Sequence, residues 1–367
     1  MMRIALVISA NGWRGSGASY AKLARGLQAR GHVAHLVTAV PKLTNRLREE
    51  GLEVTQIPGR DTGPREVWAL RRTLKAVGAQ AIVADTPRDV RLSFYATLLH
   101  RARIAYRYNL NYRRPRNHLM DRVYLSRVAA CVYQSQFIRD DALRHAAWMR
   151  RIPSYQIPNG YDTSRYTQRP EAGRAFRERY RIPPDARVVL SAAKLTRNKG
   201  QEVAITALHR LGRQGLDVVY VLCGDGNREG ELSSLAAAYK LPALFTGLLN
   251  THDMIAAYSA ADLVVHPSLQ EIFPNAVGEA MACARPVIAA DAGGTGELLG
   301  RDGTSGILVP PGDAEALAQA IGELLADPAR RRALGEAARR RIQEQFPIER
   351  MVEGYERALA EIIAGGG

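Results

Sequence analysis

Long apolar runs are missing from this 367-residue sequence. The longest, such as Ile4–Ile8 and Val218–Cys223, have the length of a strand. They fall far short of the roughly 20 residues that a membrane-spanning helix needs, so no such helix is expected. Cysteine is scarce too. Cys131, Cys223 and Cys283 stand far apart, which excludes a disulfide framework and a cysteine-based metal site and makes buried thiols in a reducing compartment the expectation. No Asp-x-Asp pair stands at a strand end to hold a metal. The start, Met1-Met2-Arg3 followed by Ile4-Ala5-Leu6-Val7-Ile8, has neither an extended apolar region nor a small-residue cleavage site. It reads as a first strand, and a cytoplasmic protein is expected. Acids are few beside bases: 36 Asp and Glu against 51 Lys and Arg give a net charge of +15. Such a surplus suits an anionic partner, whether nucleic acid, a membrane surface or a phosphorylated substrate. It equally suits arginine-rich solvated helix faces such as Arg330-Arg331-Arg332 and Arg339-Arg340-Arg341.

What is present is alternation of short β-branched strands with amphipathic helices, the pattern of parallel sheets wound by helices on both faces. Strands are expected at Arg3–Ile8, Val33–Thr38, Glu53–Ile57, Gln80–Ala84, Ile104–Tyr108, Ala130–Tyr133 and Tyr155–Ile157. A polar, proline-containing passage, Thr163–Pro184, interrupts the series. A second set runs through Val188–Ala192, Val218–Leu222, Leu244–Thr246, Leu263–His266, Pro286–Ala289 and Gly306–Val309. The chain exceeds what one core usually supports, so the fold class expected is α/β with two Rossmann-like doubly wound domains, 1–165 and 166–347. Ligands of such sheets bind beyond the carboxyl ends of the strands, which puts function in strand-to-helix turns and implies a central cleft between facing sheets.

Three of those turns carry chemistry. The first runs from His266 through Glu271, Phe273, Pro274, Asn275 and Ala276 to Glu279. Glu279 falls near the first turn of a helix, where a carboxylate can accept two hydrogen bonds from a ribose diol. Helix-start amides around Asn275 and Ala276 suit a diphosphate or sugar hydroxyls. On spacing alone, Glu271 as a plain loop acid and Glu279 as a dipole-stabilising residue fit equally well. The second turn, Ala193-Lys194-Leu195-Thr196-Arg197-Asn198-Lys199-Gly200, brackets one loop with two lysines that could meet the negative charge of a departing diphosphate. With both in place a divalent metal is not required, and no cofactor is expected. The third, Asn11-Gly12-Trp13-Arg14-Gly15-Ser16-Gly17-Ala18-Ser19, has glycines that admit close backbone approach. It lacks the ending of a P-loop and the Gly-x-Gly-x-x-Gly spacing.

Glu271 and Glu279, with seven residues between them and Glu-Ile-Phe-Pro-Asn opening the stretch, resemble the paired-glutamate signature of retaining GT-B glycosyltransferases, specifically glycosyltransferase family 4. The resemblance runs through Arg30-Gly31-His32-Val33, Ile157-Pro158-Asn159-Gly160-Tyr161-Asp162, Cys223-Gly224-Asp225-Gly226, Thr246-Gly247, Arg285-Pro286-Val287-Ile288-Ala289 and Gly293-Gly294-Thr295-Gly296-Glu297-Leu298. It implies the GT-B fold, a nucleotide-sugar donor (UDP-, GDP- or ADP-sugar), and a saccharide, lipid-linked or other hydroxyl acceptor. By resemblance Glu279 holds the ribose and Glu271 the donor sugar, with Phe273, Pro274, Asn275, Ala276, Gly224 and Leu248 also at the donor. Gly15 and Gly17 match the glycine pair at the diphosphate. Lys194 stands where the family has arginine, keeping the charge but not the planar fork; Lys199 matches. Asn109 stands where the family often has a histidine; it can bond a hydroxyl but cannot act as a base. The helix Ile348–Ile363 is expected to cross back onto the first domain.

From Arg101 to Arg127 there are eight arginines, among them Arg107, Arg113, Arg114 and Arg116, against the single acid Asp121. Interleaved tyrosines and leucines let this stretch read as an acceptor or membrane contact at the inner face of the membrane, or as a solvated helix face. A sugar-nucleotide epimerase or glycosyl phosphorylase on the same scaffold would be the nearest rival; no acid/base set for an epimerase is evident. A nucleic-acid binder is suggested by charge alone, with no recognised module beside it.

Overall fold

In the computed structural model, which describes residues 1–9, 13–59, 61–109 and 119–365, the chain divides into two compact units. One comprises Met1–Gly160 with Ile348–Gly367, the other Tyr161–Pro347.

The first unit holds a seven-stranded parallel sheet: β1 (Arg3–Val7), β2 (Val33–Thr38), β3 (Val54–Gln56), β4 (Ala81–Ala84), β5 (Arg103–Tyr108), β6 (Val128–Tyr133) and β7 (Ser154–Gln156). Their spatial order is β3-β2-β1-β4-β5-β6-β7, so the winding reverses between β1 and β4. Strands such as β1 and β4 are apolar and buried almost throughout, as parallel strands covered on both faces must be. One cover consists of the helices Ala18–Ala29 and Ile348–Ala364. From the latter Met351, Val352, Tyr355, Leu359 and Ile362 join the core of Ile4, Leu6, Leu23 and Leu27. Charge seals the same seam: Glu356 accepts from Arg30 Nε at 2.7 Å and pairs with His32 Nε2 at 2.8 Å.

The second unit holds six parallel strands: β8 (Arg187–Ala192), β9 (Val218–Cys223), β10 (Ala243–Gly247), β11 (Leu263–His266), β12 (Val287–Ala290) and β13 (Ile307–Val309). They lie in the order β10-β9-β8-β11-β12-β13, with cores on both faces. Its reversal falls between β8 and β11, whose C-terminal turns are the lysine turn and the glutamate turn. All three cysteines are buried and unbridged, and burial pushes the Cys131 and Cys283 thiols up to about 12. Among the described residues no helix is long and apolar enough to cross a membrane.

Candidate functional site

A doubly wound sheet opens a crevice where its winding reverses, because adjacent strands there send their connections to opposite faces. In the second unit the crevice is flanked by the turns after β8 and β11. Backbone bonds tie those turns together: Leu269 N donates to Asn198 O at 2.9 Å, and Ser268 Oγ to the same oxygen at 3.1 Å. Lys199 closes a short 3-10 turn, Arg197–Lys199, that ends at left-handed Gly200. From there its ammonium reaches Glu271 Oε1 at 2.5 Å. His266, the last residue of β11, meets the same oxygen at 2.7 Å. Burial alone would raise the Glu271 carboxyl, but these two partners hold it down at about 2. Glu271 is thus a fixed anion with Oε1 taken on both sides. Its backbone is pressed by Gly293, where a Cβ would stand 1.8 Å from the Glu271 carbonyl oxygen.

Lys194 lies two residues beyond the end of β8. Its carbonyl accepts from buried Gln201 Nε2 at 2.9 Å, while its side chain is exposed. The structure therefore separates two lysines that the sequence pairs: Lys199 is anchored on a carboxylate and Lys194 extends toward solvent.

The helix Asn275–Ala282 begins beyond Glu271 with Pro274 as N-cap and no side-chain cap, which leaves its start available to an anion or hydroxyls. Two expectations change here. Pro274 has no N–H and can donate nothing. The Phe273 ring is core, 6 % exposed and 5.6 Å from the Phe346 ring, so only backbone remains of it for a ligand. Glu279 lies just beyond the first turn of that helix. The Tyr166 hydroxyl bonds to it, and burial together with the Glu279 charge raises that phenol. Tyr161 lies under the helix, where a Cβ on Gly278 would meet its ring at 2.1 Å. Its phenol is raised by burial and then by Glu279 and Glu271. Gly224 bridges to Gly247, bringing the end of β9 beside the turn that exposes Leu248.

In the first unit the reversal falls between β1 and β4, and the turn holding Gly15 and Gly17 comes after β1. Gly15 is left-handed at φ 87°, and its carbonyl accepts from Ser19 Oγ at 3.0 Å. Arg107 is corrected here. It is 5 % exposed and donates Nη1 to Asp85 Oδ1 at 2.9 Å and Nη2 to Asn159 Oδ1 at 3.0 Å. Lying on β5 inside the sheet, it is an interior ion-pair partner and not an acceptor or membrane contact. Asn109, two residues on, donates Nδ2 to the same Asp85 oxygen. Arg113, Arg114 and Arg116 lie outside the described residues.

Spacing did not point to His266, Tyr161, Tyr166, Asp85 or Asn159. A lone histidine at the carboxyl end of β11, five residues before Glu271, was the one local signal available.

Two family models match, the one described as Glycosyltransferase Family 4 over residues 13–165 and the one described as Glycosyl transferases group 1 over residues 174–341. The alpha-D-kanosaminyltransferase of Streptomyces kanamyceticus is 36 % identical over 171 residues, 46 % of this chain and 44 % of that protein. The GDP-mannose-dependent alpha-(1-6)-phosphatidylinositol monomannoside mannosyltransferase of Mycolicibacterium smegmatis is 31 % identical over 225 residues, 59 % of this chain and 56 % of that protein. The chain thus spans about half the length of these curated relatives. A solved glycosyltransferase from Rickettsia africae superposes with a TM-score of 0.86 at 21 % identity, over 99 % of this chain and 98 % of that one. Matched in sequence across both units and in fold over nearly its full length, the chain belongs to the family 4, group 1 glycosyltransferases of GT-B fold.

Proposed function

We propose that the protein transfers a hexose-type sugar from a UDP-, GDP- or ADP-sugar to a hydroxyl acceptor with retention of configuration, in the synthesis of a cell-envelope glycan or glycolipid. The observation that carries this reading is the pair Glu271 and Glu279 at an uncapped helix start, with Glu271 held ionised by Lys199 and His266. Glu279 takes the ribose diol. Glu271, its Oε1 occupied, offers Oε2 to the sugar hydroxyls. Backbone amides at Asn275 and Ala276 and the Lys194 ammonium meet the diphosphate, so that positive charge on the protein takes the place of a metal. A carboxylate held near 2 and pinned by Lys199 and His266 is a weak nucleophile, which favours attack on the same face from which the diphosphate leaves. The C1–O bond to the diphosphate breaks, the acceptor oxygen bonds to C1, and the acceptor proton passes to the departing phosphate oxygen.

The relatives named for transfer of sugars support the reaction class. For the acceptor, the surface of the first unit around Leu98, Leu99, Met120 and Val123, exposed beside Arg101 and Arg122, favours one carried on an anionic lipid surface.

Thermal shift with UDP-, GDP-, ADP- and dTDP-sugars in EDTA, on wild type and Glu279→Ala, tests the donor site. One nucleotide is expected to stabilise the wild type, with the effect lost in the variant; silence from every nucleotide would reject the transferase reading.

A further inference from the structure

The Asp85 carboxylate, 1 % exposed at the end of β4, collects donors from three directions. Arg107 Nη1 reaches it from β5 at 2.9 Å. Asn109 donates Nδ2 from the residue after β5. The Ser16 hydroxyl bonds to it from the glycine-bearing turn after β1. Ser16 Oγ is also 3.4 Å from both Arg107 Nη1 and Asn109 Nδ2. Burying an ion pair seldom stabilises a fold more than apolar packing would, so the charge calls for another explanation.

The chemistry of the amide supplies one. The two ends of an asparagine side chain have nearly the same shape, and its partners decide which way it faces. An ionised carboxylate only accepts, so it takes the NH2 end. Among the described residues, every side-chain hydrogen bond of Asn109 is made by Nδ2. We propose that Asp85 is a positioning residue: with Arg107 balancing its charge, it turns the Asn109 amide so that Oδ1 faces outward as a pure acceptor. Asn109 then accepts a proton only from a ligand O–H or N–H. Under the proposed function, on which this rests, that ligand group is a hydroxyl of the donor sugar. Through Ser16 the same carboxylate ties Asn109 to the glycine-bearing turn after β1.

Asn109→Asp provides the test. Its carboxyl would face Asp85 with one proton between them, as two like charges cannot both stay ionised at that distance. With that proton on, the carboxylic acid copies the amide, donating inward and accepting outward; with it off, the two anions repel. The other groups facing Asp85 are Arg107 from β5, Tyr20 from the helix Ala18–Ala29, Tyr355 from the helix Ile348–Ala364 and Asp89 from the helix Pro87–Ala96. Burial pushes Asp89 up to about 6, so it titrates in the same window, and Asn109→Ala carries that background.

Between pH 8.5 and 5.5 the melting temperature of Asn109→Asp is expected to rise relative to Asn109→Ala by roughly 3 °C or more, with or without nucleotide. Over the same range kcat/KM of Asn109→Asp for the nucleotide sugar chosen by the thermal-shift panel should rise at least about tenfold relative to wild type, corresponding to one decade of protonation. Binding of the bare nucleoside diphosphate should track the wild type throughout. Melting curves of Asn109→Asp and Asn109→Ala that run parallel in pH would overturn the orientation by Asp85. A melting shift without a change in transfer would overturn the role of Asn109 at the sugar. If wild type binds no nucleotide sugar, the proposed function fails and the ligand role of Asn109 with it, while the melting comparison still decides what Asp85 does.

Discussion

Glu271 is a carboxylate held as an anion by His266 and Lys199. Its carboxyl sits at about 2 in the folded protein, against about 4.3 for an unfolded glutamate. A depressed folded value contributes stability above the unfolded one, and that contribution drains away as pH falls from about 5 through 2. The shift corresponds to something on the order of 3 kcal/mol. The stability gap between wild type and Glu271→Gln, measured by urea titration, should therefore be largest near pH 6 and shrink steadily toward pH 3; a constant gap would mean that Lys199 and His266 do not hold the anion. The turns that carry the two glutamates and the two lysines were legible because each follows a strand of the second sheet, while spacing alone left the roles of Glu271 and Glu279 open. The tyrosines under Glu279 were not, since Tyr161 and Tyr166 reach it only through the fold. Arginine shows the same limit. Within runs that look solvated in sequence, some members prove to be structural while Arg330, Arg332 and Arg340 stay exposed: Arg331 donates to the carbonyls of Leu324 and Leu325, Arg339 to those of Thr163, Tyr166 and Ala282, and Arg341 to those of Glu297 and Leu298. Charge counts carry no direction, and these guanidinium groups point inward to satisfy carbonyls.

At the scale of elements, each strand expected from β-branched runs and turn residues is present, with ends displaced by at most two residues; Leu263–His266 agrees at both ends. Parallel strands are legible in this way because burial on both faces demands an unbroken apolar run. Charge gave no such guide in the arginine-rich stretch Arg101–Arg127, since one charge density runs through both an interior strand and a superficial helix. Its β5 portion is interior, with Tyr106 and Tyr108 at 1 % and 0 % exposed. Its helix Leu119–Leu125 is superficial. Phe94, Tyr95 and Tyr124 stack edge to face, and Arg127 Nη1 bonds to Thr97 O at 2.9 Å, fastening that helix to Pro87–Ala96. Beside this joint Leu98 is 48 % and Leu99 75 % exposed. If the acceptor is presented on an anionic bilayer, these leucines enter it and Arg101 and Arg122 stay at the headgroups. Co-sedimentation with phosphatidylglycerol-containing vesicles should fall at least about fivefold in Leu98→Ser/Leu99→Ser. Equal sedimentation of variant and wild type would remove the membrane from the proposal.

At the scale of the whole molecule, the first unit is assembled from two distant stretches of chain. Leu359, 1 % exposed in the helix Ile348–Ala364, packs in the core built on β1 and β2. Leu359→Ala should cost about 2 to 5 kcal/mol there. Hydrogen exchange localises the loss: amides of Leu6 and Val83 should exchange faster, while those of Val189 and Val264 in the other sheet keep their wild-type rates. Uniform acceleration across both sheets would show that the units do not open separately.

The same discontinuity governs the order of events on the ribosome. Residues 1–160 emerge first, but the helix that completes their core is made only after residues 161–347. At about 5 to 20 residues per second, the intervening stretch takes roughly 10 to 40 s to synthesise. Through that interval the side chains that will receive Val352, Tyr355 and Leu359 have no cover, while the later-made unit, continuous in sequence, can finish folding as it leaves the tunnel. The half of the protein born first is thus the half that matures last, and a nascent chain halted before residue 348 would expose the apolar face of the helix Ala18–Ala29 to chaperones.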